Sequence, residues 1–319
     1  ESVPVWKARG YYENGLDPEF GSSVAGGDLN GDGYSDIVVG APYYDGDGIG
    51  NSFARSGAIA IWMGSASGLQ SVSNPAFYGG FNGVPVSAKL IVFSDVGDSL
   101  FGQSLAVGNF GGTVRVAVGA PWYSGRYSGG IVFSWPGDLL ASLSSHSIVI
   151  PTFANIYESH SPGGSFGWSV AFTNDVDGDG NGELLVGEPG YYTPTSDGYG
   201  RALLYKYGSD VPAWTAVANG IDNFGYSVGS AGDMNNDGYD DVVIGDRRQE
   251  SYGLYGLGRS FVYFGSSSGL LPVFAWSFED VQDTFPFLGS TIMTGAGDVN
   301  GDGYDDVVVT IPEGLTLNG

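Results

Sequence analysis

A Phe-Gly pair recurs along the chain, at Phe20-Gly21, Phe101-Gly102, Phe166-Gly167 and Phe224-Gly225, with a looser echo at Phe287-Leu288-Gly289. Successive phenylalanines stand 81, 65, 58 and 63 residues apart. About twenty residues after each pair comes a second signature: Gly40-Ala41-Pro42, Gly119-Ala120-Pro121, Gly187-Glu188-Pro189, Gly245-Asp246-Arg247 and Thr310-Ile311-Pro312. Self-similarity at this spacing marks one supersecondary unit copied along the chain, here five times. Such a unit cannot bury its apolar surface alone and must stack on its neighbours.

Each copy reads as four short strands. The first, as at residues 22–26 and 227–231, is built from Ser, Gly, Ala and Val, small enough to crowd towards a central axis. The second is a continuous apolar run: Ile37-Val38-Val39, Val116-Ala117-Val118, Leu184-Leu185-Val186, Val242-Val243-Ile244 and Val307-Val308-Val309. Unbroken apolar character means that both faces of the strand are covered. Third strands are expected at 58–63, 131–135, 202–207 and 260–264, and a more polar fourth strand often opens with proline. Helical periodicity extends nowhere over a useful length. The expectation is an all-β fold, a β-propeller of five four-stranded blades forming a single domain over 1–319. Repeats begin near residues 20, 101, 166, 224 and 287. Val3-Pro4-Val5-Trp6 matches the fourth-strand pattern of Val211-Pro212-Ala213-Trp214 and Leu271-Pro272-Val273-Phe274, while the last copy stops soon after its second strand. Residues 1–19 are therefore expected to complete the last blade and remove its open edge.

Between the two signatures, four of the five copies hold an acidic glycine-rich loop. The side chains at loop positions 1, 3, 5 and 9 are Asp28, Asn30, Asp32 and Asp36; Asp175, Asp177, Asp179 and Glu183; Asp233, Asn235, Asp237 and Asp241; and Asp298, Asn300, Asp302 and Asp306. Glycine stands at position 6 (Gly33, Gly180, Gly238, Gly303), and position 7 offers a backbone carbonyl at Tyr34, Asn181, Tyr239 and Tyr304. Calcium takes six to eight hard oxygen ligands, and a tight turn brings alternate side chains to one point; magnesium keeps more of its water and suits the pattern less well. The spacing resembles the first half of an EF-hand loop without its helices, so each site is a strand-to-strand turn, and about four Ca²⁺ are expected. The plainer alternative is that Asp, Asn and Gly only make hairpin turns. Thirteen of the chain's 35 acidic residues occupy these positions, against 11 Lys and Arg and a formal charge of −24. Without a cation, so many carboxylates at close range repel one another. The second copy breaks the pattern: residues 108–115 are shorter and carry no carboxylate, and Arg115 stands where the others have an acid, so no ion is expected there.

The negative charge argues against a nucleic-acid partner. No cysteine is present for a disulfide or thiolate site. No apolar run approaches the roughly 18 residues of a membrane-spanning helix, and the first nine residues lack the core of a secretory signal, as in a processed protein.

Phe-Gly, the DxDxDGxxD-type loop and Gly-Ala-Pro together resemble the FG-GAP repeats of the integrin α-subunit β-propeller, over nearly the whole chain. The resemblance implies calcium in the turn between the first and second strands of a blade, on the face away from ligand. It also implies an extracellular or cell-surface binding or adhesion role. Integrin propellers have seven blades against five copies here, and the chain has no inserted von Willebrand-type domain, DxSxS motif or leg domains. It is thus similar to a free-standing or microbial relative, and an integrin-type β subunit is not assumed.

The resemblance places the loops after Gly-Ala-Pro opposite calcium. Here these hold Tyr43, Tyr44, Trp122, Tyr123, Tyr191, Tyr192, Arg247, Arg248, Tyr252 and Tyr255. Amphipathic rings of this kind suit a recognition surface for a protein or glycan, or else they cap the strands. Asp45 and Asp47 in the first such loop could add a further cation site, with an ordinary solvated loop the plainer reading. Two G-x-S-x-G matches, at 225–229 and 265–269, lack the strand-to-helix turn of a nucleophile elbow. The only histidines, His146 and His160, lie in polar connections. No catalytic residue is assigned. A polysaccharide lyase or hydrolase on the same scaffold is the alternative, and would need acids outside the four loops.

Overall fold

The continuously apolar second strands set the architecture, because a strand apolar on both faces is stable only inside a stack of sheets. The computed structural model describes residues 19–45, 55–70, 88–123, 129–143, 147–149, 154–159, 161–192, 199–217, 223–247, 258–279 and 293–309. The fold is all-β, with one helix of six residues among those described, α1 (Gly137–Ser142). Two compact units form, Glu1–Gly108 with Thr113–His160, and Asn109–Gly112 with Ser161–Gly319.

In the first unit, β1 (Val24–Gly27), β2 (Asp36–Ala41), β3 (Ala58–Trp62) and β4 (Leu90–Phe93) form an antiparallel meander. The next sheet runs β5 (Ser104–Phe110), β6 (Thr113–Ala120), β7 (Ile131–Pro136), β9 (Asn155–Glu158), the tip of its β5–β6 hairpin belonging to the second unit. A fifth strand, β8 (Ser147–Val149), pairs in parallel with β4 and extends the first sheet beyond the four strands expected. Backbone pairing at a sheet edge asks nothing specific of the added side chains, which is why no motif marks β8.

The second unit holds β10 (Ser169–Phe172), β11 (Leu184–Glu188), β12 (Arg201–Tyr205), β13 (Trp214–Val217), then β14 (Phe224–Gly232), β15 (Asp241–Asp246), β16 (Arg259–Tyr263), β17 (Trp276–Glu279), each set a four-stranded antiparallel sheet. The last copy contributes β18 (Met293–Gly297) and β19 (Asp306–Val309). Residues 1–18, the Phe287-Leu288-Gly289 echo and Thr310-Ile311-Pro312 lie outside the described residues.

Side chains alternate across each sheet. Ile59 and Ile61 of β3 join Val116, Val118, Phe133 and Trp135 in one core, whereas Ala58, Ala60 and Trp62 join Tyr44 and Phe93 on the opposite face. Leu185 and Leu204 meet Val242, Ile244 and Phe261 in the same way in the second unit.

The two short signatures are the joints of this stack. Each Phe packs edge-on against an aromatic of its own third strand: Phe20 on Trp62, Phe101 on Trp135, Phe166 on Tyr205 and Phe224 on Tyr263. The glycine after it has φ between 81° and 95° in all four copies, a conformation open to glycine at little cost. In three copies its N–H donates to the Gly-Ala-Pro glycine, from Gly21 to Gly40, Gly102 to Gly119 and Gly167 to Gly187. The same Gly40 and Gly187 carry the next sheet's backbone against them: a Cβ at Gly187 would lie 2.0 Å from the Gly225 carbonyl oxygen, and one at Gly40 2.2 Å from that of Gly102. Gly187→Ala should therefore destabilise the protein by roughly 1–3 kcal/mol, the usual cost of overpacking against backbone. A urea melt with an unchanged midpoint would contradict this account of the joint.

Candidate metal centre

The four acidic loops adopt one conformation. Position 6 has φ of 88°, 87°, 91° and 89° at Gly33, Gly180, Gly238 and Gly303, as the sequence pattern requires. Position 4 is also left-handed, at Gly31, Gly178, Asn236 and Gly301. Sequence reading passed over this second constraint, although Gly or Asn at every position 4 signals it.

Backbone N–H groups hold the carboxylates at the loop centre. In the first loop, Asp32 N–H donates to Asp28 Oδ1 (3.0 Å), Gly33 N–H to Asp28 Oδ2 (2.8 Å) and Tyr34 N–H to Asp32 Oδ1 (2.9 Å). The same three bonds recur around Asp233 and Asp237, around Asp298 and Asp302, and around Asp175 and Asp179. Asn30, Asn235 and Asn300 each accept from the position-5 N–H through Oδ1.

Position 9 has a second task. Asp36 and Asp241 are wholly buried, and each accepts two backbone N–H groups, from Leu29 (2.8 Å) and Gly64 (2.6 Å), and from Met234 and Gly265 (both 2.9 Å). Glu183 accepts from Val176 N–H and the Thr173 hydroxyl (both 3.2 Å), and Asp306 from Val299 N–H (3.0 Å). These carboxylates tie the loop entrance to the second strand. Burial pushes the Asp241 carboxyl up to about 6 and that of Glu183 up to about 7, outweighing their backbone donors, and raises Asp36 as well. Asp298, in an exposed loop, is instead lowered, first by the Gly303 N–H.

The third loop brings four carboxylates together. Ligand oxygens of Asp175, Asp177, Asp179 and Glu183 lie within 4.8 Å of one another. Oxygens bound to a single calcium at about 2.3–2.6 Å can be at most about 5 Å apart, so this cluster fits within one coordination sphere. The donor set is hard oxygen throughout, which suits calcium. Lys206 pairs with Asp177 and also reaches Asp179 Oδ2 (3.3 Å). Asp177 is the first cause of its raised pKa. Asp179 is lowered, first by the Asn181 side chain.

Neighbouring loops are linked by position 8, a residue sequence reading did not assign. Asp240 N–H donates to the Asp175 carbonyl (3.0 Å), and Asp305 N–H to that of Asp233 (3.1 Å). Asp305 also accepts from Asp233 N–H, and Asp240 from the Asn174 amide. Loops three, four and five thus form a continuous belt.

Strand register aligns Arg115 with Asp36, Glu183 and Asp241. It is buried, and its guanidinium donates to the Ser134 hydroxyl (3.0 Å), the Ser134 carbonyl (2.9 Å) and Asn155 Oδ1 (2.7 Å). Gly111 and Gly112, both at positive φ, close the short hairpin there.

The FG-GAP repeat profile matches residues 20–62, 166–204, 224–263 and 294–319, the four copies that carry acidic loops. Integrin alpha-IIb of Mus musculus is 28% identical over 252 residues, which is 74% of this chain and 20% of that protein. Integrin alpha-5 of Xenopus laevis is 30% identical over 230 residues, 68% of this chain and 20% of that protein. The chain has an integrin α-like FG-GAP fold. Phosphatidylinositol-glycan-specific phospholipase D of Bos taurus is also similar, 35% identical over 159 residues, 46% of this chain and 18% of the enzyme. The chain spans about a fifth of the length of each of these relatives.

The residues after Gly-Ala-Pro divide into core and surface in this FG-GAP chain. Tyr44 is a correction: it is fully buried, 5.2 Å from the Phe93 ring, and offers no surface to a ligand. Adjacent tyrosines differ only in which way the turn aims them, and Tyr43 is half-buried. Tyr123 packs on Phe133, while Trp122 is exposed with the Arg55 guanidinium 5.8 Å from its ring centre. In the second unit, Tyr192 stacks on Tyr199 at 5.1 Å, both about half exposed. Tyr191 lies beneath the Arg201 guanidinium (3.8 Å), and Arg247 donates to the Tyr226 hydroxyl (2.8 Å). Arg201 also bonds the buried Glu188 carboxylate (2.5 Å), so Glu188 of this Gly-Glu-Pro is a partner for Arg201 rather than a ligand-face group. Arg248, Tyr252, Tyr255, Asp47 and both histidines lie outside the described residues.

Proposed function

We propose that this FG-GAP chain is a calcium-stabilised binding module of the integrin α-like kind, working outside the cell. Asp28, Asn30, Asp32 and Asp36, with the carbonyl of Tyr34, would hold one ion, and their counterparts in copies three, four and five one each, giving about four. The observation that carries this reading is the third loop, where four carboxylate oxygens lie within 4.8 Å of one another. Bound calcium supplies the positive charge that the clustered carboxylates lack. The chain's own backbone N–H groups set the shape of each turn.

The five copies would form one propeller over 1–319, closed by residues 1–19 as the outer strand of the last blade. The meander of four antiparallel strands in successive copies supports this. Extracellular placement rests on the integrin likeness, and no helix among the described residues is long and apolar enough to cross a membrane.

A protein or glycan ligand would engage the loops after Gly-Ala-Pro. The exposed Tyr192–Tyr199 stack and Trp122 are the surface residues that favour this. Tyr192→Ala and Trp122→Ala, made separately, should each weaken binding to extracellular-matrix proteins or a glycan array by tenfold or more, about 1.4 kcal/mol, with melting unchanged. Retention of full binding by both variants would remove the ligand assignment while leaving the calcium assignment intact.

A further inference from the structure

The third loop differs from the first and fourth in two linked ways. Its position 3 is Asp177 where they have Asn30 and Asn235, so it alone among the four loops carries four acids at positions 1, 3, 5 and 9. Strand register then places Lys206, the residue after β12, level with Met63 after β3 and Phe264 after β16. The extra acid and the only lysine at this site among the described residues occur in the same copy. They touch: the Lys206 ammonium contacts Asp177, whose side chain is only 5% exposed, and reaches Asp179 Oδ2 at 3.3 Å.

We propose that Lys206 is a tethered counter-cation for the third loop, holding its carboxylates together when calcium is absent and giving way to calcium when it binds. The inference rests on the calcium reading of the loops. Asp177 and Asp179 are shared between the two states: each offers oxygen to the ammonium or to the metal ion. In the first and fourth loops, Met63 and Phe264 can supply no charge, and Asn30 and Asn235 reduce the repulsion instead. Lys206 therefore makes the third loop the one that keeps its shape without metal, at the expense of its calcium affinity. A lysine whose role was only structural would stabilise the calcium-free and calcium-bound protein alike.

The test uses the full chain and calcium alone. Lys206→Met, which installs the residue of the first copy, should lower the melting temperature in EDTA and raise the calcium affinity of one site about tenfold or more, since a positive charge in contact with two of the ligands is gone. In an Asp179→Ala background, where the third loop has lost a ligand, Lys206→Met should no longer alter calcium binding. Asp177→Asn combined with Lys206→Met reproduces the first-loop arrangement, and should restore the melting temperature in EDTA towards that of the parent. The proposal is overturned if Lys206→Met leaves every calcium constant within twofold, or if its effect persists with Asp179 removed. It also fails if melting falls equally with and without calcium. Calcium uptake that is normal but indifferent to Lys206 sinks this proposal alone. The absence of uptake by parent and variant alike sinks the calcium reading with it.

Discussion

Excess EDTA should lower the melting temperature of this chain by roughly 15 °C. A ligand that binds only the folded state stabilises it by RT ln(1 + [L]/Kd), about 2.7 kcal/mol per site at a hundredfold excess over Kd. Four such sites amount to about 11 kcal/mol, and with an unfolding entropy of about 2.1 cal/mol/K per residue each kcal/mol moves the midpoint of a chain of 319 residues by roughly 1.5 °C. The backbone bonds between loops three, four and five make the loss cooperative, because a turn that relaxes in one loop pulls on the carbonyl at position 1 of its neighbour. Melting followed by circular dichroism, with calcium and with EDTA, measures the difference directly. A shift of a degree or two would mean that hydrogen bonds alone hold the turns.

Two aspartates of a single loop should behave in opposite ways. Asp241 is fully buried and takes the N–H groups of Met234 and Gly265. Asp241→Ala leaves both donors without their acceptor, at roughly 1–3 kcal/mol each, so it should destabilise by roughly 2–6 kcal/mol even in EDTA. Asp237 is exposed and accepts only from Tyr239 N–H and the Asn235 amide within its own loop. Asp237→Ala should be close to neutral in EDTA and cost about 2.7 kcal/mol at a hundredfold calcium excess, with one ion lost. Denaturant melts of both variants, each with and without calcium, separate the roles. Equal losses for Asp237→Ala in the two conditions would show that position 5 shapes the turn and does not serve a metal.

The sequence made the repeat, the strand order and the loop chemistry legible because each is encoded within a few residues. Phe-Gly and Gly-Ala-Pro announce themselves by spacing, and the unbroken apolar runs of β2, β11 and β15 could only be interior strands. What stayed hidden depends on residues distant in the chain. Lys206 lies 27 and 29 positions from Asp179 and Asp177, on a different strand, and only the register of β11 with β12 brings it to them. Glu188 reads as a departure from Gly-Ala-Pro until Arg201 is seen opposite it, and Asp246 faces Arg259 in the same register one copy later. Tyr43 and Tyr44 are indistinguishable by type, and a turn decides that one enters the core. The acid at position 9 looked like a ligand and no more; one of the two backbone bonds that Asp36 and Asp241 each accept comes from Gly64 and Gly265 respectively, which belong to the segment after the third strand.

The ions themselves can be counted by calorimetric titration of calcium into EDTA-stripped protein. Calcium binding at the four loops predicts saturable uptake of about four ions per chain, reduced by one in Asp237→Ala. Heat no greater than dilution, with no saturable uptake at millimolar calcium, would contradict it.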